Sequence, residues 1–501
     1  MDELTPSTAK QAIALNDENL STLPAEVGRP NYDRSSLSPG IIHVGVGNFH
    51  RAHQSWYMHQ LFQKGLAHDW AILGAGVRPY DTDMRQKLLR QDCLTTLIEL
   101  DPRIMTAEVV GSMIDYLPIS PDNGPLIKAI ADPAIRTVTM TVTEGGYFIN
   151  PATQGFDETH SDVQHDAANP KTPKTGFGAI ITGLKNRKDS GLGPITLQSC
   201  DNLQGNGGIL RQTIVSLADM SDPKLAKWIS ANCSFPNSMV DSIVPATGPD
   251  ERALAREFGV DDTVPVTHEN FRQWVIEDEF CAGRPPLEDV GATYASNVHG
   301  YEAMKLRILN AGHQILANAG ELLSLSTVAE CMQHQLVGAF FQKVQTDEVL
   351  PHVPSVTGTS AEDYLSLVIK RFSNTAVKDT VRRVAFDGSS RHPGFLLPTI
   401  RDGLDRGVPI DGLALAEALW ARMCLGRRED GTKIEPNDPN WPSLVAAAQH
   451  AIDEPAAWLR QKSIYGDLGD APRFAEAFGR WCRRLDESGT SGAIADYLDA
   501  A

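Results

Sequence analysis

The sequence predicts an α/β protein of two domains: a largely parallel sheet with helices on both faces, then a mostly helical domain. Three observations predict it. At 501 residues the chain exceeds what one typical core organises. Its first half alternates short β-rich runs with helical stretches. After about Tyr301 the texture changes, and apolar residues recur at helical spacing with few β-branched runs.

In the first half the expected strands are Gly40–Gly47, Trp70–Val77, Thr106–Ile114, Ile135–Glu144 and Gly193–Asp201. The stretches His50–Gly65, Pro125–Ala131 and Gly176–Lys188 supply crossover helices, which strand-to-strand parallel connections need. In the second half Leu322–Val344, Ala361–Phe372, Ala414–Leu425, Ser443–Ile452 and Arg473–Leu485 read as helices. "GRPP" (Gly283–Pro286) and "DPNWP" (Asp438–Pro442) read as loops, because proline and glycine interrupt both regular structures.

Bulk composition narrows the function classes. Apolar residues make up 42% and charged residues 22%, the profile of a soluble globular protein. A formal net charge of −18 argues against a nucleic-acid groove or an anionic membrane surface as partner. The first twenty residues lack a basic segment followed by an apolar run, and no stretch approaches ~18 uninterrupted apolar residues. The seven cysteines contain no C-x-x-C pair, which fits reduced thiols in a cytoplasmic protein. There is no H-E-x-x-H and no Cys/His cluster at zinc spacing, so metal-independent chemistry is the expectation.

"HVGVGNFHRAHQ" (His43–Gln54) follows the first expected strand and opens a helix. Gly45 and Gly47 give G-x-G, with His50 where the third glycine of the dinucleotide fingerprint would stand. Such glycines let the backbone approach a pyrophosphate, which the helix N-terminus then holds. Arg51, just inside that helix, is placed to add a phosphate contact. After the second strand, "VRPYDTD" offers Asp81 and Asp83 as carboxylates for the adenosine ribose hydroxyls. A carboxylate there repels a 2′-phosphate and favours NAD over NADP. Arg78 nearby pulls the other way, and a solvated loop aspartate is the plainer alternative.

"YEAMKLRILNAGHQILANAG" (Tyr301–Gly320) carries four polar groups among apolar ones. On an α-helical wheel at about 100° per residue, with Lys305 at zero, Glu302 lies at about 60°, His313 at about 80° and Asn310 at about 140°. Met304, Ile308 and Ile315 fall on the opposite side, near 260–300°. That mixed stripe suits a wall packed below and open to a pocket above. A surface ion pair of Lys305 with Glu302 at i,i+3 is the competing reading.

Seven motifs occur in order: "GVGNFHRAHQ", "TVTEGGY", "SCDNLQGNG", "FPNSMVD", "QWVIEDEF", "YEAMKLRILNAGH" and "FDGSSRHPGFLLPT". From about Pro30 to Leu485 the chain resembles the polyol-specific long-chain dehydrogenase/reductase family. The resemblance implies a Rossmann-type dinucleotide-binding domain over 1–295 and a mostly helical substrate domain over 296–501, with catalysis in the cleft between them. It implies an NAD-dependent, metal-independent oxidoreductase that interconverts a polyol and its ketose, with D-mannitol and D-fructose as first choice. It also implies a monomer whose partner is a small polyol or ketose. Lys305 falls on the family's catalytic lysine, Asn202 and Asn310 on its oxygen-binding asparagines, His313 on a substrate-contacting histidine, and Glu302 on a proton-relaying glutamate. Asp241, Arg383 and Arg391 match positions lining the polyol pocket. Gly45, Gly47, Asn48, Phe49, His50 and Arg51 match the cofactor turn, and Asp81 the NAD-selecting aspartate.

These residue types suit the reaction. A free lysine, with an ordinary pKa of about 10.4, stays protonated at neutral pH and cannot act as a base. Burial and a nearby nicotinamide cation would both disfavour the ammonium form. Two fixed carboxamides would stabilise the charge that develops on the substrate oxygen. The chain departs from the family pattern at Asn48, Tyr80, Ser242, Gly300, "HENF" (His268–Phe271) and "NAGH" (Asn310–His313). None of these removes a catalytic group, but they leave fructuronate, arabinitol and sorbitol open as alternative substrates. A dinucleotide-binding regulator without turnover is the reading from another class, and the intact Lys305–Asn310–His313 set with Asn202 speaks against it.

Overall fold

The computed structural model describes residues 12–150 and 155–500, which separate into two compact units at Val298/His299. The first unit is built on five parallel strands: β1 (Pro39–Val44), β2 (Ala71–Ala75), β3 (Met113–Tyr116), β4 (Thr137–Met140) and β5 (Thr196–Ser199). Their spatial order is β3-β2-β1-β4-β5, the Rossmann arrangement, with β1 pairing β2 on one side and β4 on the other. β1 and β2 read as near-continuous apolar runs because both faces are covered, and β4 and β5 are buried at every position although they carry threonine, glutamine and serine. On one face Ile42, Val44 and Val138 pack against Phe177, Ile180, Leu184 and Leu210. On the other, Ile41 and Ile72 meet Tyr57, Met58, Leu61 and Phe62.

Three smaller sheets complete this unit, one of them the two-stranded parallel pair Ile13–Ala14 with Val260–Asp261. A second has four strands, with Thr95–Leu100 and Thr106–Val110 antiparallel at its centre. The third has three, with Ser238–Asp241 antiparallel to Gln273–Glu277, so that "FPNSMVD" and "QWVIEDEF" are ladder partners. The single strand expected over Thr106–Ile114 is in fact two. The chain leaves the four-stranded sheet at Val110, turns through Gly111 and Ser112, and enters the five-stranded sheet as β3. Arg34 marks the crossing by donating from Nε to the Gly111 carbonyl and from Nη2 to that of Met113.

The second unit is helical. Every residue of Ala311–Leu322 is buried, and this helix packs on Asp411–Met423, which packs in turn on the C-terminal helix Pro472–Asp499. The long helix expected over Leu322–Val344 is broken, because Ser324 adopts φ +60°. The chain restarts as Val328–Gln333, capped by the Thr327 hydroxyl, and Gln335–Val344, capped by His334. One chain of buried polar groups is fully paired: His392 Nδ1 meets Glu417 Oε1 at 2.8 Å, and the other Glu417 oxygen accepts from Tyr465 at 2.7 Å.

Candidate active site

In the first unit a cavity of about 430 Å3 opens at the carboxyl ends of β1, β2 and β4, the switch point where ligands bind in open α/β sheets. Gly45, Gly47, Arg78, Tyr80, Asp81, Thr141 and Gly176 are among its lining residues. Gly45 has φ +93°, and a Cβ there would stand 2.1 Å from the Thr141 carbonyl oxygen, so only glycine fits. A Cβ on Gly47 would meet nothing within 4 Å. That empty approach to bare backbone is the space a pyrophosphate needs, so the turn fits a dinucleotide.

Asp81 opens the helix Asp81–Leu89, and its Oδ2 accepts from the backbone N–H groups of Val77 and Arg78, each at 2.9 Å. This locks the carboxylate at the end of β2, facing the cavity with acceptor capacity remaining. Arg78 pairs with Asp162 at 3.6 Å, and Asp83 pairs with Lys87 on the exposed side of the helix. Tyr80, 77% exposed, stands at the rim.

The other residues of the turn lie behind it and do not line the cavity. Asn48 donates to the Pro245 carbonyl and to Thr247. Phe49 stacks on His53 at 4.8 Å, and the buried His50 ring stacks on His43 at 3.5 Å. Arg51 is almost wholly buried, and its three guanidinium nitrogens donate to Gly47 O, Val264 O and Asn48 Oδ1. Burial pulls its pKa down to about 10, opposed by the Asp262 carboxylate. The structure thus spends Arg51 on bracing the turn rather than on facing a phosphate.

Asn202 is exposed just past β5. Its neighbour Asp201, which sequence reasoning passed over inside "SCDNLQ", fixes that corner. The Asp201 carboxylate accepts from the Val142 and Thr143 N–H groups, each at 3.0 Å, and from the Tyr147 hydroxyl at 2.6 Å. Asp241 ends its strand buried, opposite Gln273.

In the second unit the helix carrying the polar stripe is not a uniform α-helix. His299–Met304 is α-helical, Lys305–Asn310 is a π turn, and Ala311–Leu322 is α-helical again. The π turn carries one residue more than the α geometry assumed from the sequence, so the wheel angles above do not hold across it. Lys305 is buried, 7% exposed, and Glu302 beside it is buried too. Glu302 Oε2 lies 3.0 Å from Nδ1 of His299, which is half exposed. His299 thus links the buried Glu302 carboxylate to the half-exposed surface, a contact written in the i,i+3 spacing but missed.

His313 stacks on Phe372 with ring centroids 4.3 Å apart. Burial, opposed by the Asp379 charge and reinforced by those of Arg383, Arg371 and Arg391, drops its pKa to about 3, so the ring is neutral. Asp379, another missed residue, lies on the chain four places before Arg383 and is paired with it. Arg391 donates from Nη1 to the Val384 carbonyl at 2.8 Å. The buried Oδ1 of Asn310 and Nε2 of His313 make no hydrogen bond within the protein, the latter lying 3.8 Å from Asp379 Oδ2. Both atoms, three residues apart, keep hydrogen-bonding capacity that a ligand's hydroxyls can use. Among the described residues no group of three or more His, Cys, Asp or Glu side chains is placed to hold a metal ion, and no helix is long and apolar enough to cross a membrane.

Residues 39–289 match the family described as "Mannitol dehydrogenase Rossmann domain", and residues 297–485 match "Mannitol dehydrogenase C-terminal domain". The chain is 51% identical over 474 residues to a mannitol 2-dehydrogenase of Cereibacter sphaeroides, covering 95% of this chain and 99% of that one. It is 39% identical over 500 residues to a mannitol 2-dehydrogenase of Aspergillus oryzae, covering 97% and 99%. Its structure superposes with a TM-score of 0.91 on Pseudomonas fluorescens mannitol 2-dehydrogenase in ternary complex with NAD and D-mannitol, at 36% identity, covering 98% of this chain and 100% of that one. A substrate-free D-sorbitol dehydrogenase gives a TM-score of 0.86 at 35% identity, covering 96% and 100%. By its two domains and by full-length relatives, the chain belongs to the mannitol dehydrogenase family.

Proposed function

We propose that the protein is an NAD-dependent polyol dehydrogenase that interconverts D-mannitol and D-fructose. The observation that carries this reading is the full-length likeness to a solved mannitol 2-dehydrogenase holding NAD and D-mannitol. Asn310 Oδ1 and His313 Nε2, which make no hydrogen bond within the protein, support it from within this chain, because a polyol brings hydroxyls to both.

We assign cofactor binding to the first unit. Gly45 shapes the turn, Gly47 leaves room for the pyrophosphate, and Asp81 accepts from the ribose hydroxyls. Asn48, Phe49, His50 and Arg51 brace the turn from behind. NAD, when bound, supplies the hydride acceptor.

Lys305 takes the hydroxyl proton as the polyol is oxidised and gives it back in the reverse direction. Its burial keeps the amine out of bulk water, beside the equally buried Glu302. Asn202 and Asn310 donate to the substrate oxygen; in comparable sites one such donor is worth about 3–4 kcal/mol of barrier. Glu302 passes the proton outward through His299. His313, kept neutral, hydrogen-bonds a neighbouring hydroxyl, and Asp241, Arg383 and Arg391 read the others. A hydroxyl-reading site discriminates strongly, since a missing hydroxyl leaves a buried polar group unpaired.

The test is NADH consumption with D-fructose, D-fructuronate and a panel of other ketoses, together with NAD reduction by D-mannitol, D-sorbitol and D-arabinitol. D-Mannitol and D-fructose give the highest kcat/KM, and Lys305→Ala loses 10²-fold or more of turnover while still binding NADH, on the order of a general-base contribution. Turnover of D-fructuronate alone would overturn the substrate assignment, and near-normal rates in Lys305→Ala the base assignment.

A further inference from the structure

On an α-helix the side chains of Lys305 and Asn310 would point about 140° apart, too far to attend to one oxygen. The π turn removes that conflict. Its hydrogen bonds reach five residues back, as the Ala311 N–H does to the Leu306 carbonyl, so residues five apart stack on one side. The two residues at the ends of this turn are the proposed base and the proposed oxygen donor. A π turn is a poor structure by itself, and it persists only where the surroundings hold it.

The surroundings here include Gln345. Its side chain is fully buried, and Nε2 donates to the Ile308 carbonyl, inside the turn, at 3.1 Å. Gln345 itself opens a second π turn, Gln345–Val349, which sets its side chain against the first. The contact depends on close approach: a Cβ added to Gly312 would stand 2.8 Å from the Phe341 ring and 3.2 Å from Gln345 Nε2. The other end of the carboxamide, Oε1, is buried without a partner. The side chain is therefore held in place by its donor and not by its acceptor.

We propose that Gln345 is a positioning residue for the reaction, holding the π turn that brings Lys305 and Asn310 onto one side of their helix. The inference rests on the assignment of those two residues above. Gln345→Met keeps the volume but removes the donor, letting the turn relax toward α-helical register and swing Asn310 away from Lys305. Gly312→Ala perturbs the same contact from the other side and serves should the first variant not fold.

Expected in both is a fall in kcat of about 100-fold, the scale of a catalytic group displaced by roughly an ångström. NADH binding, read by protein fluorescence, stays unchanged. The primary isotope effect on kcat with NADH deuterated at the transferred position rises, because the chemical step has become the slow one. A merely destabilising substitution lowers the amount of folded enzyme and leaves that isotope effect alone. Wild-type kcat and isotope effect in both variants, with Lys305→Ala dead, overturns the role of Gln345 and leaves the base assignment standing. Turnover in Lys305→Ala overturns the base assignment and this inference with it.

Discussion

Asp379 holds Arg383 by two parallel hydrogen bonds, Nε to Oδ1 and Nη2 to Oδ2, each 2.6 Å long. The carboxylate is almost completely buried and the arginine half exposed, so the pair is anchored at the acidic end and open at the basic end. Such a forked pair fixes the guanidinium plane and cancels its charge while leaving other N–H groups to meet a ligand.

That neutralisation favours an uncharged sugar over one carrying a carboxylate. Replacing Asp379 by Asn frees the Arg383 charge beside Arg371 and Arg391, whose fields already reach His313. Expected is a tenfold rise in the ratio of kcat/KM for D-fructuronate over D-fructose, equivalent to about 1.4 kcal/mol. An unchanged ratio would remove Asp379 from substrate selection.

The two glycines of the nucleotide turn separate stability from binding. Gly45→Ala drives a methyl into the Thr141 carbonyl at a positive φ, so the variant loses several degrees of thermal midpoint. Gly47→Ala meets open space and leaves the melting temperature of the apoprotein in place, while weakening NADH binding by 10-fold or more in order of magnitude. Calorimetry and a fluorescence titration on both variants check the split; equal losses of stability would refute it.

Asp81→Ala narrows the preference for NAD over NADP. The present carboxylate is locked by two backbone N–H groups at the cavity, with Arg78 alongside to receive a 2′-phosphate once it is gone. The ratio of kcat/KM for the two cofactors should fall by about 10-fold, a change of one charged contact. If the ratio holds, the ribose contact belongs to another group.

Acid stability follows from buried imidazoles. Burial lowers His43, His268 and His313 to about 3 each, so all three are neutral in the folded protein. In the unfolded chain they protonate near the ordinary histidine value of about 6.5. Between those limits the unfolded state binds more protons, so their contribution is whole above about pH 6.5 and is lost as pH falls toward 3. The thermal midpoint should drop through that window, and less steeply in His43→Gln. An identical slope in that variant would show that His43 takes no part.

Much of the fold could be read directly from the chain. Runs such as "GIIHVGVG" announce doubly covered strands, since only a sheet buried on both faces dispenses with alternation. Thr106–Ile114 misled because the apolar pattern persists while the chain changes sheets at Gly111 and Ser112, a long-range event with no local signature. Lys305, Asn310 and His313 were legible as a polar cluster, but the π turn that orders them was not, because helical periodicity assumes one geometry throughout. Arg51 looked like a phosphate ligand from its place at a helix start. Its guanidinium instead bonds Gly47, Asn48 and Val264, the last more than two hundred residues away. Asp379 was within reach, as an acid four residues ahead of a base, just before the short helix Val381–Val384.

The Asp201 carboxylate grips two loops at once, one bordering the nucleotide cavity and the other carrying Asn202. Neither can fray alone: the amide protons of Val142 and Thr143 are shielded from solvent exchange for as long as that grip lasts. Loosening it would release both segments as one cooperative unit, so the rim of the cavity and the corner that presents the amide share a single opening equilibrium.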